Sequence, residues 1–567
     1  MNSNIQNRWT RLRSAVLARV RQLGARAYLV FALVFSLLIL MDQGFLNLVA
    51  SADTKLFDSL ISHRLIAPKA DPDIVILDID EASLASMAKQ HGRWPWPNRV
   101  LGELVRGIET QKPQAIVFDI LFSDPDVQRP ASDAAFNQAI AESNSTFFPM
   151  LRLDPQNDKL SRIPVSALPG VKLLQDHADT TATIAMILPK VPAAIDNGRL
   201  GTHQVVPDKD GVIRRYPAWL THAGWQIPSL PMRIAQEFEF PGADQPEVLL
   251  NWRGPPFTYH YLSFADVYQD VMSAKPQRAA NEFTGKIVII GSTAPSLFDV
   301  KGTPMARIHP GVEILATAID NFKNGDYLRE RPRWVMLLAA LLLIWSMAIA
   351  LYRQTRIEVF DKVFGVLQAG LVAIAYVTLN LSDWYLDTSA PLSLGLLYFA
   401  LARVYYGLSR QWLANAQVRD INTQGSGQRL LAVLAIRWVG STAQERRALK
   451  GDLDHLVARS ELQAGRISNL IEDPGLVQSV FADSMLVYWL CEDLQADWQT
   501  DAAQLTRALR ESQPEAMAQG RLLFFSTHAI IGWETTTQWT QRAFATILAA
   551  LQGTSALDTS SPQDVVS

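Results

Sequence analysis

Acidic residues follow two apolar runs of the sequence and are the first candidates for chemistry. The runs DIVILDID at 73–80 and AIVFDILF at 115–122 are short and rich in Val and Ile, which is typical of buried strands. Ligands of sheets built from such strands usually bind at the carboxyl ends of the strands. Carboxylates there can contact a ligand, or can cap helices and brace loops. The acidic residues expected at these ends are Asp78, Asp80, Glu81, Asp119, Asp124 and Asp126.

One pair of these carboxylates has the spacing of an enzyme motif. Asp78 and Asp80 are similar to the nucleophile and acid/base pair of haloacid-dehalogenase phosphatases. That family has Thr or Val two positions after the second Asp, where this chain has Ala82, and no later lysine and acidic metal motif completes the set. A lone Asp-x-Asp is a weak motif. The sequence therefore argues against a phosphatase.

Tryptophan and arginine side chains are further candidates for ligand binding, and each also has a structural interpretation. Trp94 and Trp96 alternate with prolines that restrict the backbone, so their rings can pin a loop against the sheet or line a pocket. Arg214, like other arginines nearby, can bind an anionic ligand with two hydrogen bonds or pair with the many carboxylates. The sequence does not choose between these alternatives.

The elements that must position these side chains form an α/β sheet. A third Val/Ile-rich run, KIVIIG at 286–291, repeats the pattern of the first two. A helical pattern at 98–111 lies between runs of this type, which indicates buried strands alternating with helices. The sequence therefore predicts an α/β domain over 50–333.

Longer apolar segments predict a membrane protein. The chain has 567 residues, of which 49% are hydrophobic and 19% charged. At about 150 residues per domain, this length predicts several domains. Four segments are apolar enough to cross a bilayer. They are residues 27–49, 334–351, 363–381 and 391–408.

The distribution of basic residues predicts the orientation of these spans. Residues 1–26 are rich in arginine, the loop YRQTRIEVFDK carries Arg353, Arg356 and Lys362, and the loop SDWYLDTSA has no Lys or Arg. The positive-inside rule therefore places both termini in the cytoplasm and residues 50–333 outside, in the periplasm of an inner-membrane protein. A cleavable signal peptide at the amino terminus is the alternative for the first span, and it would also export the following domain.

Charge and cysteine content exclude several classes of protein. The chain has 52 Lys and Arg against 55 Asp and Glu, a net charge of −3, so it has no general basic field for nucleic acid. Cys491 is the only cysteine, which excludes an intrachain disulfide and a Cys-rich zinc site. The sequence predicts no cofactor and no nucleic-acid partner.

Eight fragments of the exported segment resemble, in order, the second type of CHASE domain, an extracytoplasmic sensor module that precedes three clustered spans. The fragments are LFDSLISHRL (56–65), DIVILDIDEASL (73–84), GRWPWPNRV (92–100), KPQAIVFDILFSDPD (112–126), DKDGVIRRYP (208–217), NWRGPP (251–256), FTGKIVIIGSTAPSLFDVKGTP (283–304) and HPGVEILATAIDNF (309–322). The resemblance implies sensing of an unidentified periplasmic ligand. The candidate sensor-pocket residues are Asp78, Asp80, Glu81, Trp94, Trp96, Asp119, Arg214, Asp299 and Glu313.

The cytoplasmic segment 429–552 resembles a class III nucleotide cyclase that has lost its catalytic residues. The family has a metal-binding Asp at the end of the first strand, where this chain has Arg437, and a second at a hairpin tip, matched by Asp483. Two divalent cations need both carboxylates. The Asn and Arg that stabilise the transition state correspond to Thr546 and Ala550. The resemblance therefore implies an α+β cyclase-like domain that binds no metal, performs no catalysis and forms a homodimer.

Together these patterns predict a multi-domain membrane sensor that acts through an unidentified cytoplasmic protein partner. A linker helix is predicted over 409–428 and a disordered polar tail over 553–567. Three alternatives stay open at this level: an active divergent cyclase, a membrane scaffold that senses nothing, and an unrelated α/β domain in which Asp483 only forms a hairpin turn.

Overall fold

The computed structural model describes residues 23–41, 50–174, 178–353, 357–421, 428–439, 449, 453, 456–457, 465–466, 484–531, 542, 545–547 and 549–550. The chain divides into two compact units. The first unit comprises Leu48–Met336 and Ala369–Ser389. The second unit comprises Met1–Asn47, Leu337–Gln368 and Ala390–Ser567.

The helices and strands of the described residues are as follows. The α-helices are α1 Arg26–Met41, α2 Ala50–Ser62, α3 Glu81–His91, α4 Asn98–Glu109, α5 Pro130–Glu142, α6 Pro192–Asp196, α7 Leu230–Glu237, α8 Phe264–Val271, α9 Gly311–Asn324, α10 Arg333–Tyr352, α11 Ile357–Leu381, α12 Ser389–Ile421, α13 Trp498–Ser512 and α14 Pro514–Ala518. The strands are β1 Ile74–Asp78, β2 Ala115–Phe118, β3 Thr146–Arg152, β4 Lys172–Leu173, β5 Met186–Ile187, β6 Leu200–Thr202, β7 Arg215–Pro217, β8 Trp219–His222, β9 Trp225–Pro228, β10 Glu247–Leu249, β11 His260–Ser263, β12 Ile287–Gly291, β13 Val300–Lys301, β14 His309–Pro310, β15 Arg329–Glu330, β16 Trp384–Tyr385, β17 Arg429–Trp438, β18 Gly465–Arg466, β19 Ser484–Cys491 and β20 Leu522–Ile531.

A seven-stranded sheet forms the centre of the first unit. Its order is β11-β1-β12-β2-β3-β5, and β6 also pairs with β3. The strands pair in parallel except β5, which is antiparallel to β3. Side chains of β1 alternate between two cores, with Ile74 and Ile76 on one face and Val75 and Leu77 on the other. Both faces are buried because helices α2, α7 and α9 cover the first and helices α4, α5 and α8 the second.

The mixed α/β fold predicted for this part of the chain is confirmed. The runs at 73–80, 115–122 and 286–291 contain β1, β2 and β12, which are neighbours in the sheet. The helical pattern at 98–111 is α4, whose buried side chains recur at helical spacing and face the sheet. These elements follow from hydrophobic periodicity alone.

The segment that follows α11 belongs to the first unit. Strand β16 pairs in parallel with β15, and the Arg329 amide donates to the Asp383 carbonyl at 2.7 Å. The Tyr385 ring packs edge-on against Phe57 of α2, with centroids 5.1 Å apart. Its hydroxyl donates to Asp53 Oδ1, also in α2, at 2.9 Å. Strand β15, which directly precedes α10, is therefore paired with β16, and β16 contacts α2 through Tyr385.

We expect the stability of this junction to fall as pH rises towards neutrality. Burial and the like charge of Asp387 raise the pKa of Asp53 from 3.8 to about 7, although the Tyr385 hydrogen bond opposes the shift. The folded state therefore keeps a proton on Asp53 that the unfolded state releases. The stability that this proton contributes is complete below pH ~4 and is lost as pH rises to about 7, at up to ~1.4 kcal/mol per pH unit. Hydrogen exchange of α2 between pH 4 and 8 measures the loss. Asp387→Asn should reduce this loss of stability, and Tyr385→Phe should shift the loss to higher pH. The control Asp124→Asn, at an exposed carboxylate, should leave the loss unchanged. An equal pH response in all variants would contradict the assignment of the loss to Asp53.

Two helices of the described residues are long and apolar enough to cross a membrane. They are Trp334–Tyr352 and Val359–Leu381, and the shorter helix α1 is also apolar. The predicted spans 334–351 and 363–381 coincide with the two long helices. The spans 27–49 and 391–408, and with them the four-span topology, stay predictions; Asp42 lies outside the described residues.

Helix α12 continues well beyond the predicted fourth span. It runs unbroken from Ser389 to Ile421, so residues 409–421 of the predicted linker helix continue α12, while 422–427 lie outside the described residues. Arg403 in this helix lies 3.4 Å from Asp361, and both side chains are partly exposed. The Arg403 side chain is therefore paired with a carboxylate of α11.

The carboxyl-terminal part of the second unit contains a four-stranded antiparallel sheet in the order β18-β19-β17-β20. The strand predicted at 429–438 is β17. Trp489 of β19 is fully buried and donates from Nε1 to Asp501 of α13 at 2.7 Å. The sheet register places Arg437 opposite Ser484. Asp483, the neighbour of Ser484, lies outside the described residues, as does 440–442.

Candidate functional site

A pocket of about 370 Å³ lies where β2, β3 and β6 end in the first unit. This is the carboxyl edge of parallel strands, where ligands of such sheets usually bind. Its polar lining includes Asp119, which follows β2, His203, which follows β6, and Asp299 and Lys301 of the segment before α9. Its apolar lining includes Leu121, Met150, Val205, Ile213 and Ile314.

A chain of polar contacts crosses the base of the pocket. His203 Nε2 lies 2.8 Å from Asp119 Oδ1, and His203 Nδ1 lies 3.0 Å from the Tyr216 hydroxyl. Burial disfavours a charged imidazole, but the adjacent Asp119 carboxylate outweighs it and raises the pKa of His203. Burial and the same carboxylate raise the pKa of Tyr216. The arrangement therefore favours an ion pair of Asp119 and His203 with a neutral tyrosine behind it.

The second carboxylate oxygen of Asp119 is left without a donor. The side chain is 5% exposed, and no described residue forms a hydrogen bond with its Oδ2 atom, which is buried. A buried polar atom without a partner destabilises a protein by about 1–3 kcal/mol. Other buried side-chain atoms of the described residues also lack a partner, and Asp119 Oδ2 is one that belongs to a residue lining the pocket.

Asp299 places a second carboxylate at the same pocket. Its side chain is 40% exposed, and Lys301 Nζ lies 3.6 Å from its Oδ1 atom. Burial and the negative charge of Asp119 raise the pKa of Asp299. The Asp299 carboxylate lies directly against Gly311, the first residue of α9, where any Cβ would overlap it. A larger residue at position 311 would therefore have to displace the Asp299 side chain.

Comparison with known protein families identifies the first unit. The model of the CHASE2 domain matches residues 30–351. The chain belongs to the CHASE2 domain family. No curated protein and no solved structure matches the chain. The CHASE2 domain indicates an extracellular sensor role, and the pocket lies inside the matched segment.

Of the nine predicted sensor residues, Asp119 and Asp299 line this CHASE2 pocket. Asp78 ends β1 and accepts hydrogen bonds from the Thr293 amide and hydroxyl at 2.8 and 2.5 Å. Asp80 caps α3 by accepting from the Ser83 amide at 2.6 Å. Glu81 accepts from the Ser296 amide at 2.9 Å. Of the two sequence interpretations, these three carboxylates fit the one in which acids cap helices and brace loops.

The remaining four predicted residues, Arg214 among them, contact other groups of the CHASE2 domain and do not line the pocket. Trp96 is buried against Phe264, with ring centroids 5.0 Å apart, and Trp94 packs edge-on against Trp96. Glu313 is buried and accepts from the Phe257 and Thr258 amides at 2.8 Å.

Arg214 is buried and forms ion pairs, so of its two sequence interpretations the structure shows pairing with carboxylates. Its guanidinium makes contacts of 2.6–2.7 Å with Asp58, Asp208 and Asp210. All of its close partners are therefore acidic groups of the protein itself.

Sequence reasoning missed His203, Tyr216 and Lys301. His203 follows β6, which has only three residues and therefore no strand periodicity that could be recognised. The signal available was the proximity of His203 to the fragment DKDGVIRRYP, which contains Tyr216. Among the described residues, no group of three or more His, Cys, Asp and Glu side chains is arranged to hold a metal ion.

Proposed function

We propose that this protein is an inner-membrane signal-transduction protein whose CHASE2 domain binds a periplasmic ligand in the pocket at Asp119. The observation that carries the proposal is a ligand-sized pocket at the carboxyl edge of the sheet, lined by Asp119, His203, Asp299 and Lys301 together with apolar side chains. A scaffold without a sensing role has no need for such a pocket. The pocket therefore favours a sensor over a scaffold.

The path from the pocket to the membrane segments supports the relay of a signal. Helix α9 begins at the pocket with Gly311 and ends shortly before β15. Strand β15 pairs with β16 and leads directly into α10, the first long apolar helix. A ligand that favours one position of α9 can therefore bias β15 and the start of α10 through continuous elements.

The cytoplasmic output is proposed to act by protein contact in a homodimer. The resemblance to cyclases puts Arg437 at the position of a metal-binding carboxylate, and in the sheet this arginine is paired with Ser484. Thr546 and Ala550 stand where the alignment requires an Asn and an Arg, and both are buried in the domain. These side chains cannot stabilise the negative charge that develops on a phosphate.

Reporter fusions test the proposed orientation. A reporter that works only in the periplasm is expected to be active when fused after Ser389. A reporter that works only in the cytoplasm is expected to be active at Thr355 and Ser567, because the basic loop that contains Thr355 stays inside. Alkaline phosphatase and a cytoplasmic fluorescent protein at each position serve as opposite controls. The reverse pattern would place the CHASE2 pocket in the cytoplasm and would remove the proposed function.

A further inference from the structure

We infer that the loop His63–Ile66 of the CHASE2 domain inserts the side chains of Leu65 and Ile66 into the periplasmic leaflet of the membrane that α11 crosses. The inference rests on the proposed function, because it requires α11 to span the membrane with its carboxyl end outside. It follows from the position of the loop on α11, from the hydrogen bonds of the loop backbone, and from the exposed apolar side chains.

The loop lies against the outer end of α11. The Tyr376 hydroxyl donates to the His63 carbonyl at 2.8 Å. Asn380 Oδ1 accepts from the Leu65 and Ile66 amides at 2.9 Å. Both α11 residues belong to the 23-residue apolar segment of this helix, which at 1.5 Å per residue is roughly 34 Å long, against about 30 Å for the hydrocarbon core of a bilayer. The loop therefore contacts the last two turns of the segment, at the outer boundary of the hydrocarbon core.

The four backbone amides of the loop all have acceptors within the protein. An N–H group in lipid finds no water, so it needs such an internal acceptor. The first two amides donate to carbonyls of α2, and the next two donate to Asn380. The charged side chain of Arg64 binds the CHASE2 domain, because its Nη1 donates to Asn251 Oδ1 at 2.7 Å. The loop amides therefore need no hydrogen bond to water.

The two apolar side chains of the loop are exposed. Leu65 is 82% exposed and Ile66 is 57% exposed. Leu160, between β3 and β4, is exposed to the same degree at 81%, so exposure by itself does not indicate lipid. What distinguishes Leu65 is its attachment to α11. Lipid surrounds this helix in every copy of the protein, whereas a partner protein would have to be recruited, so the bilayer is the expected occupant of this apolar surface.

Spin labels on the full-length protein in lipid nanodiscs test the insertion. Leu65→Cys, combined with Cys491→Ala to remove the native cysteine, carries a nitroxide whose collisions with oxygen and with a water-soluble nickel complex are measured. Oxygen concentrates in lipid and the nickel complex in water. We expect the oxygen-to-nickel collision ratio at position 65 to exceed the ratio at position 160 at least threefold. Leu160→Cys in the same background is the matched control at an equally exposed leucine.

The outcomes identify what covers the loop. A label at position 65 as accessible to nickel as the label at position 160 overturns the insertion. A label shielded from both oxygen and nickel also overturns it, because protein and not lipid then covers the site. Ile66→Cys gives the same comparison if Leu65→Cys fails to fold. The reporter fusions are independent: the predicted orientation with a water-exposed label overturns only the insertion, whereas the reverse orientation overturns the sensor function itself.

Discussion

Replacement of Arg253 by methionine is expected to lower the free energy of unfolding of the CHASE2 domain by about 3–5 kcal/mol, because it leaves buried carboxylates without their cation. Arg253 Nη2 donates to Asp320 Oδ1 at 2.5 Å, and the side chains are 1% and 0% exposed. The same guanidinium binds Asp326 at 2.8 Å. Tyr259 donates to the other oxygen of Asp320 at 2.9 Å, so both oxygens of this carboxylate have a donor.

Hydrogen exchange of β1 and α9 in the full-length protein measures this loss, since exchange reports the stability of each region separately. The matched control is Arg106→Met, which breaks an ion pair whose side chains are 41% and 52% exposed and should change stability by at most ~1 kcal/mol. The double variant Arg253→Met with Asp320→Asn should regain part of the loss because the uncompensated charge is gone. Equal protection in Arg253→Met and Arg106→Met contradicts a structural role for the buried pair.

Purified full-length protein is expected to form no cyclic nucleotide from ATP or GTP with manganese. Arg437 replaces a ligand that two bridging cations require and adds a positive charge at that position. Loss of each donor to the developing phosphate charge typically lowers the rate by a factor of about 10²–10³. The Thr546 hydroxyl donates to the Arg542 carbonyl at 2.9 Å and is therefore used within the protein.

Arg437→Asp tests whether the missing metal ligand alone, or also the missing donors at Thr546 and Ala550, prevents catalysis. The restored carboxylate should increase binding of manganese, measured by its effect on the electron spin resonance of the ion, yet still give no product because Thr546 and Ala550 are unchanged. Arg429→Asp, at the opposite end of the same strand, is the control for added negative charge. Cyclic nucleotide from the native protein would make it a receptor cyclase and would end the proposal of output by contact alone.

The sequence by itself determined the mixed α/β fold and the family of the first unit. The runs that became β1, β2 and β12 are recognisable because strands buried on both faces must be apolar at every position. The local sequence also showed that Asp119 follows a strand and that Asp299 lies inside a fragment that resembles the CHASE domain. Burial imposes these features on the chain locally, so they can be read without knowing which elements are neighbours.

Only the tertiary structure decided which of these side chains form a site. His203 reaches Asp119 because the three-residue strand β6 pairs with β3, a contact between distant segments that leaves no periodic signal. Arg214 and Glu313 were candidates of equal standing, but long-range contacts with Asp58 and with the loop at Phe257 use their hydrogen-bonding groups internally. Whether a charged side chain is satisfied or available depends on partners brought together by folding, and a sequence pattern contains only the side chain itself.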